Sequence, residues 1–296
     1  MTGLPQRWRP CNACGAQMPR ELFQRDGFHI VECRDCALVY VGEDPAAIDF
    51  DALYDESYYT GGQAGVFADY VGQAPARRAS ARRRLSPVWG LARLKSGGRL
   101  LDVGCAAGFF LVEAQARYEV SGVELSDYSS RFAREQFGLD VTTGTLHEAA
   151  FAAAHFDLVT LWDVIEHVAD PLAVLTEVAR VLAPGGKVVL TTGDVGSRYA
   201  RARGAAWHLL TPPWHLYFFS RTTLAAVAAR AGLKVDRISA QGVAGDGRWS
   251  RSRPGLLVDR LLGRGDIMQV TLSHARAAAA AAASAAAAAA VLRKAT

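Results

Sequence analysis

The stretch LLDVGCAAGFF (residues 100–110) is an apolar run that breaks at a glycine turn and continues as a helix-like pattern. A strand, a turn and a helix in that order gather backbone N–H groups and a helix N-terminus at one point, which suits a nucleotide-like ligand. A dinucleotide site needs G-x-G-x-x-G. Here Gly104-Cys105-Ala106-Ala107-Gly108 supplies two glycines, and Phe109 stands in the place of the third. The turn alone is also compatible with an ordinary tight turn.

Two acidic residues narrow the ligand. Asp102 precedes the turn, where it would repel a pyrophosphate. Glu124 lies twenty residues after Gly104, at the end of the next apolar run, where a carboxylate can accept both hydroxyls of a ribose. A ribose joined to a positively charged amino-acid end satisfies both, and S-adenosylmethionine has this composition.

Outward from the turn, strand-like and helix-like segments alternate. RLLDV (99–103), EVSGVEL (119–125), LDVTTG (139–144), FDLVTLWD (156–163), KVVLTTG (187–193), LKVDRISA (233–240) and IMQVTLS (267–273) read as strands. FFLVEAQARY (109–118), SSRFAREQFG (129–138) and TLAAVAARAG (223–232) read as helices. Asp170 and Pro171 predict an N-cap and first helical position, and Pro184-Gly185-Gly186 the end of that helix. This alternation predicts an α/β protein with a mostly parallel, doubly wound sheet.

LLDVGCAAGFF, GVELS (122–126), FDLVTLWDVIEHVADP (156–171) and VLAPGGKVVLTTGD (181–194) together resemble the successive motifs of class I S-adenosylmethionine-dependent methyltransferases. The resemblance covers about residues 97–240. It implies a Rossmann-like sheet of seven strands with the last one antiparallel. It also implies that Asp102, Gly104 and Gly108 shape the pocket for the methionine end, with Cys105 and Ala106 completing the turn. Glu124, with Leu125 beside it, would hold the ribose, Thr145 and Leu146 would lie near the adenine, and Asp163 would face the methionine or the acceptor. Ala106 departs from the usual glycine, which is tolerable if its backbone is not left-handed. Cys105 occupies a variable position and is expected only to pack.

Four of the five cysteines form C-x2-C at 11–14 and C-x2-C at 33–36. Paired knuckles and an odd total argue against a disulfide framework. Cys11, Cys14, Cys33 and Cys36 suit one tetrahedral zinc, closed by four thiolates and therefore structural, with four unligated buried thiols as the other reading. Gly15 follows the first knuckle and Ala37 the second. The arrangement is similar to the zinc-binding domain that precedes the methyltransferase domain in some antibiotic and deoxysugar C-methyltransferases. LYDESYY (53–59) resembles their tyrosine lid. The chain lacks their extra C-terminal domain, which argues against sugar C-methylation. The expected layout is a zinc-ribbon-like domain (1–45), a helical linker or lid (46–96), the methyltransferase domain (97–273) and an alanine-rich tail (274–296).

Methyl transfer to a hydroxyl or acidic carbon needs a base, and histidine is tuned for it near neutral pH. In TPPWHLYFFS (211–220), His215 is the first candidate, with His208 and Tyr217 as helpers; a histidine that merely satisfies a loop carbonyl is the alternative. Asp163, Glu166 and His167 follow i, i+3, i+4 spacing and would share a face of one helical turn. With His215 they would form a two-carboxylate, two-histidine metal site. This set resembles the metal-dependent plant small-RNA 2′-O-methyltransferases and, more loosely, ubiquinone-pathway O-methyltransferases. The preferred reading is that Glu166 and His167 simply abut the cofactor, because Asp163 stands where the RNA enzymes carry the longer glutamate.

The 296 residues are half hydrophobic, enough for one sizeable core and an appendage, and the net charge is only +4. No apolar run reaches membrane-span length, and the N-terminus lacks a signal-peptide core, so the chain reads as cytoplasmic. The expected function is methyl transfer from S-adenosylmethionine to an O or C atom of a small secondary-metabolite, lipid or quinone-like acceptor, with nucleic acid disfavoured. Two other classes are compatible. One is an RNA methyltransferase gripping phosphates with the ribbon and Arg77, Arg78, Arg82, Arg83 and Arg84; the other is a cofactor-binding interaction module without catalysis.

Overall fold

A computed structural model describes residues 8–61, 69–86, 91, 96–241 and 265–275. The alanine-rich tail lies outside the described residues except for its first two positions. In chain order the elements are β1 (Arg20–Arg25), β2 (Phe28–Glu32), β3 (Val39–Val41), α1 (Phe50–Leu53), α2 (Glu56–Thr60), α3 (Ala74–Arg84), β4 (Arg99–Val103), α4 (Phe109–Ala114), β5 (Glu119–Glu124), α5 (Asp127–Phe137), β6 (Asp140–Thr143), β7 (Phe156–Trp162), α6 (Pro171–Val181), β8 (Leu182–Gly193), α7 (Arg198–Arg203), β9 (Tyr217–Phe218), α8 (Arg221–Arg230), β10 (Leu233–Gln241) and β11 (Ile267–His274). No helix among the described residues is long and apolar enough to cross a membrane.

The main sheet has seven strands in the order β10-β11-β8-β7-β4-β5-β6. β4 runs parallel to β5 and β7, β5 runs parallel to β6, and β11 is antiparallel to β10. This is the Rossmann-like methyltransferase sheet the motifs imply. A second sheet of four strands has the order β1-β2-β3-β9, so a two-residue strand from late in the chain closes the cysteine ribbon.

Packing divides the described chain into two compact units. One comprises described parts of 49–162 and 180–188. Its core is the central parallel strands, with Leu100, Leu101, Leu158, Val159 and Leu161 almost wholly buried. Burying such a side chain contributes about 1.5–3 kcal/mol. Helix α5 starts two residues before the expected stretch 129–138 and ends at the expected glycine. Ser126 caps α5 by accepting from the Ser129 N–H, and Gly138 ends it in a left-handed conformation.

The other unit comprises described parts of 1–48, 163–179 and 189–278. Asp170 caps α6 through its side chain, which accepts from the Ala173 N–H at 2.8 Å. Helix α6 stops at Val181, and β8 begins at once, so Pro184-Gly185-Gly186 lies within the first stretch of that strand rather than in a separate turn.

Gly122 shows how closely β5 is covered. A Cβ there would meet Cys105 Sγ at 2.7 Å, Leu111 Cδ1 at 2.8 Å and Val141 Cγ2 at 3.1 Å. Gly122→Ala is therefore expected to cost about 1–3 kcal/mol through overpacking. A lower urea midpoint with an unchanged m value is the expected result.

Candidate functional site

The glycine turn is tied to the end of β5 by one buried carboxylate. Glu124, 6% exposed, accepts from Ala106 N at 2.8 Å through Oε2, and from Ser126 N at 2.9 Å and the Tyr59 hydroxyl at 3.3 Å through Oε1. Three of about four acceptor positions are thus used. Burial raises the Glu124 pKa, and these donors pull it back down. The expectation for Ala106 is overturned: its φ is +48°, left-handed. The turn needs that conformation to aim the Ala106 N–H at Glu124, and an L-residue there carries strain of about 1–2 kcal/mol.

Asp102 is also buried, and Thr160 Oγ1 donates to its Oδ1 at 2.6 Å. Burial raises its pKa to about 7, opposed by the Thr160 hydrogen bond and by the charge of Arg84. Arg84 sits with its guanidinium carbon 4.4 Å from the centroid of the Trp162 ring. The arginine cluster is thus internally committed at four positions. Arg78 and Arg82 both pair with Glu113, Arg77 lies over Tyr70, and Arg84 over Trp162. Aromatic rings line the same unit, with Tyr70 stacked on Phe109 and Tyr59 on Tyr128. Cys105 is buried, and burial raises its thiol pKa well above the ordinary value, as suits a packing residue. Thr145 holds Glu148 through its N–H and hydroxyl, Leu146 is buried, and Leu125 is partly buried.

The second cluster lies in the other unit. Glu166, His167 and His215 each place a ligand atom within 4.8 Å of the others. Glu166 is 4% exposed, and its Oε2 has no hydrogen-bond partner. Burial and the nearby Asp163 raise its pKa to about 8. His215 Nδ1 lies 2.7 Å from Leu209 O, so that nitrogen carries the proton and Nε2 keeps a lone pair. The sequence left a carbonyl-satisfying role as the alternative to a base; the geometry allows both at once. The two imidazoles meet edge to face, with centroids 4.5 Å apart. Burial lowers the pKa of both.

Asp163 is not part of this cluster. Residues 163–167 form a turn instead of the expected helical turn, with His167 N bonded to Val164 O at 2.9 Å. Asp163 takes a φ of +57°, and its Oδ1 accepts from Thr191 Oγ1 at 2.8 Å. That left-handed residue breaks the i, i+3 register. Tyr217 is not placed as a helper: it is 1% exposed and donates to Ala169 O. His208 Nδ1 lies 3.7 Å from Asp266 Oδ2, which also accepts from Trp207 Nε1 at 2.8 Å. Sequence reading missed Thr160 and Asp266, and placed Tyr59 only within a tyrosine lid. It named Arg84 only as a surface charge, because nothing in a charge run marks which member turns inward.

The four knuckle cysteines converge. Cys11 and Cys36 Sγ are 3.5 Å apart, Cys14 and Cys33 Sγ 3.4 Å, and all four lie within 4.8 Å of one another. Four thiolates about 2.3 Å from a tetrahedral zinc would stand about 3.8 Å apart, so the set fits that ion. Gly15 N bonds Cys11 O, and Ala37 N bonds Cys33 O, with left-handed φ at both Gly15 and Ala37. The two knuckles therefore share one backbone path.

A family model described as a methyltransferase domain matches residues 70–238. The chain belongs to this methyltransferase family. It is similar to the ubiquinone biosynthesis O-methyltransferase of Thiobacillus denitrificans, 35% identical over 49% of this chain and 68% of that one. The protein of that name from Xanthomonas axonopodis pv. citri is 34% identical over 50% and 68%. A solved methyltransferase from Thermotoga maritima, described as S-adenosylmethionine-dependent and a possible histamine N-methyltransferase, superposes with a TM-score of 0.51. It is 21% identical over 70% of this chain and 97% of that one, and it shows the shared fold. The protein is thus an S-adenosylmethionine-dependent methyltransferase.

Two outcomes follow from these geometries. Ala106→Gly relieves the left-handed strain and is expected to raise the thermal midpoint, by the equivalent of about 1 kcal/mol. The folded-state pKa of Glu166, about 8, exceeds its unfolded value, so its protonated form favours folding at low pH. That contribution is lost as pH rises from about 4.5 through 8. Thermal melts of Glu166→Gln should therefore lose less stability between pH 5 and 9 than the wild type.

Proposed function

We propose that this methyltransferase methylates a hydroxyl oxygen of a small quinol- or catechol-like acceptor. The observation that carries the proposal is the Glu166–His167–His215 cluster. It holds a neutral imidazole with one nitrogen anchored on Leu209 O and the other left as a base. The relatives named ubiquinone biosynthesis O-methyltransferases support oxygen as the target and a quinone-like ring as its carrier.

S-adenosylmethionine supplies an already activated methyl group on a sulfonium. Glu124 would take a ribose hydroxyl on its remaining acceptor position, with Tyr59 giving way for the second. Asp102 would face the methionine ammonium and Arg84 its carboxylate. His215 Nε2 would remove the acceptor's hydroxyl proton as the oxygen–methyl bond forms and the sulfonium–methyl bond breaks, leaving a neutral thioether and a histidinium. Because burial lowers the His215 pKa, the base stays unprotonated through neutral pH.

One observation favours a second reading of the same cluster. The unpartnered Glu166 Oε2 beside two imidazoles is a three-ligand set for a divalent cation. Such an ion would supply Lewis acidity that lowers the pKa of vicinal hydroxyls. Asp163 stands outside this set. At the ribbon we infer one structural zinc on Cys11, Cys14, Cys33 and Cys36, whose closed thiolate shell leaves no position for chemistry. Reduced thiolate ligands suit a cytoplasmic setting.

His215→Ala is expected to lower kcat for a catechol probe such as 3,4-dihydroxybenzoate by about 10²–10⁴-fold, with S-adenosylmethionine affinity by calorimetry unchanged. Unchanged turnover would remove His215 as the base. If a cation occupies the cluster, magnesium affinity should rise with pH up to about 8, since Glu166 must lose its proton to bind it. A flat pH dependence, together with full activity in chelator, would leave the metal-free base. Elemental analysis of the purified chain is expected to give one zinc per chain, and its removal to lower the melting midpoint.

A further inference from the structure

The cysteine ribbon is completed by the residues that follow His215. β3 pairs antiparallel with β9, Val39 with Phe218 and Tyr40 with Tyr217. Val41 N donates to Leu216 O at 2.9 Å. The same short segment also fastens the turn that carries Glu166. Leu216 N and Tyr217 N both donate to Glu166 O, at 2.8 and 3.2 Å. The carbonyl of one cluster residue is thus held by the two amides that follow another.

A side-chain pin reinforces this join. The Tyr217 hydroxyl donates to Ala169 O at 2.9 Å and accepts from an Arg9 guanidinium nitrogen at 2.7 Å. Arg9 Nε donates to Val41 O at 2.8 Å, and the Arg9 carbonyl accepts from the Tyr40 hydroxyl at 3.1 Å. The guanidinium carbon lies 4.7 Å from the Tyr217 ring centroid and 5.2 Å from that of Tyr40. Both tyrosines are fully buried. Arg9 precedes the first zinc-knuckle cysteine by two positions. An unbroken set of contacts therefore runs from the first knuckle through Arg9 and Tyr217 to residues 166–169 and 215–217.

We propose that Arg9 and Tyr217 are positioning residues, which hold His215 in register with Glu166 and His167, and that the ribbon is the brace of this proton-handling cluster. Glu166 and His167 sit on one turn, and His215 lies far along the chain on another. No regular element spans both. Their approach is set by the amides of Leu216 and Tyr217 on Glu166 O and by the Tyr217 hydroxyl on Ala169 O. Without the pin, the two turns keep the Leu216 and Tyr217 amides on Glu166 O and the His167 contact with the Trp214 backbone, and the imidazoles lose their fixed edge-to-face approach. The chemical consequence rests on the reading of His215 as base; the geometric one does not.

The test is histidine-selective NMR on the full chain, with His215 and His167 signals assigned through His215→Gln and His167→Gln. Tyr217→Phe keeps the ring stack and removes only the hydroxyl. The expected result is a change in the His215 and His167 ring chemical shifts as the edge-to-face approach of the two imidazoles loosens. S-adenosylmethionine affinity should stay within twofold, and kcat for the catechol probe should fall at least tenfold with little change in KM. Arg9→Lys keeps the charge and loses the fork, and should move the same signals in the same direction; it decides the matter if Tyr217→Phe does not fold. A folded variant with unmoved His215 and His167 ring signals and wild-type kcat would overturn the proposal. Moved ring signals in the variants, with a wild type that never methylates the catechol probe, would uphold the brace and defeat the functional reading instead.

Discussion

The bond from the Ala106 amide to the buried Glu124 carboxylate is the constraint on which the cofactor unit depends. It joins the glycine turn after β4 to the end of the neighbouring strand β5, and it forces Ala106 into a left-handed backbone. A carboxylate with so little exposure is tolerable only when its oxygens are hydrogen-bonded. Ala106, Ser126 and Tyr59 meet that requirement while leaving room for a further donor. The strain at Ala106 is small beside the cost of an unsatisfied buried charge, so the geometry of the turn wins over the preference of the residue. The same carboxylate thus organises the turn, and it is the group we propose for the ribose.

In the other unit, polar groups are organised by main-chain pairing rather than by a single carboxylate. The ribbon contributes β3, residues 217–218 contribute β9, and the carbonyl of Glu166 is captured at their junction. Glu166 and Asp102 both carry raised pKa values from burial, yet their surroundings differ. Asp102 has a hydroxyl donor and a nearby guanidinium. Glu166 has the Thr192 hydroxyl, but also a neighbouring carboxylate and one oxygen, Oε2, without a partner. A buried acid satisfied at only one oxygen, next to two imidazoles, is the kind of arrangement kept for proton or cation chemistry rather than for stability.

Much of this was legible in the sequence. Residues 99–103 form β4 as read, the parallel pairing of β4 with β5 and β7 agrees with the alternation of strands and helices, and the C-x2-C spacing was enough to bring four sulfurs together. Asp170 capped its helix because Asp before Pro has a local reason to do so. Where the reading failed, a non-local demand had overridden a local one. Ala106 was expected to avoid left-handed space, but Glu124 required it there. Asp163 was expected on the face of a helical turn, but Thr191 holds it in a left-handed bend. Tyr217 looked like a catalytic helper in the motif, but its hydroxyl is consumed by Arg9 and Ala169.

The sequence by itself determined the strand and helix alternation, the cofactor turn and the cysteine set, because each rests on residue types at short, fixed spacings. Only the tertiary structure decided which groups remain available for chemistry. Tyr59 reaching Glu124, Arg84 lying over Trp162 and Glu166 meeting His215 all depend on contacts between distant segments. Availability is set by burial and by competing hydrogen bonds, and neither is written in local spacing.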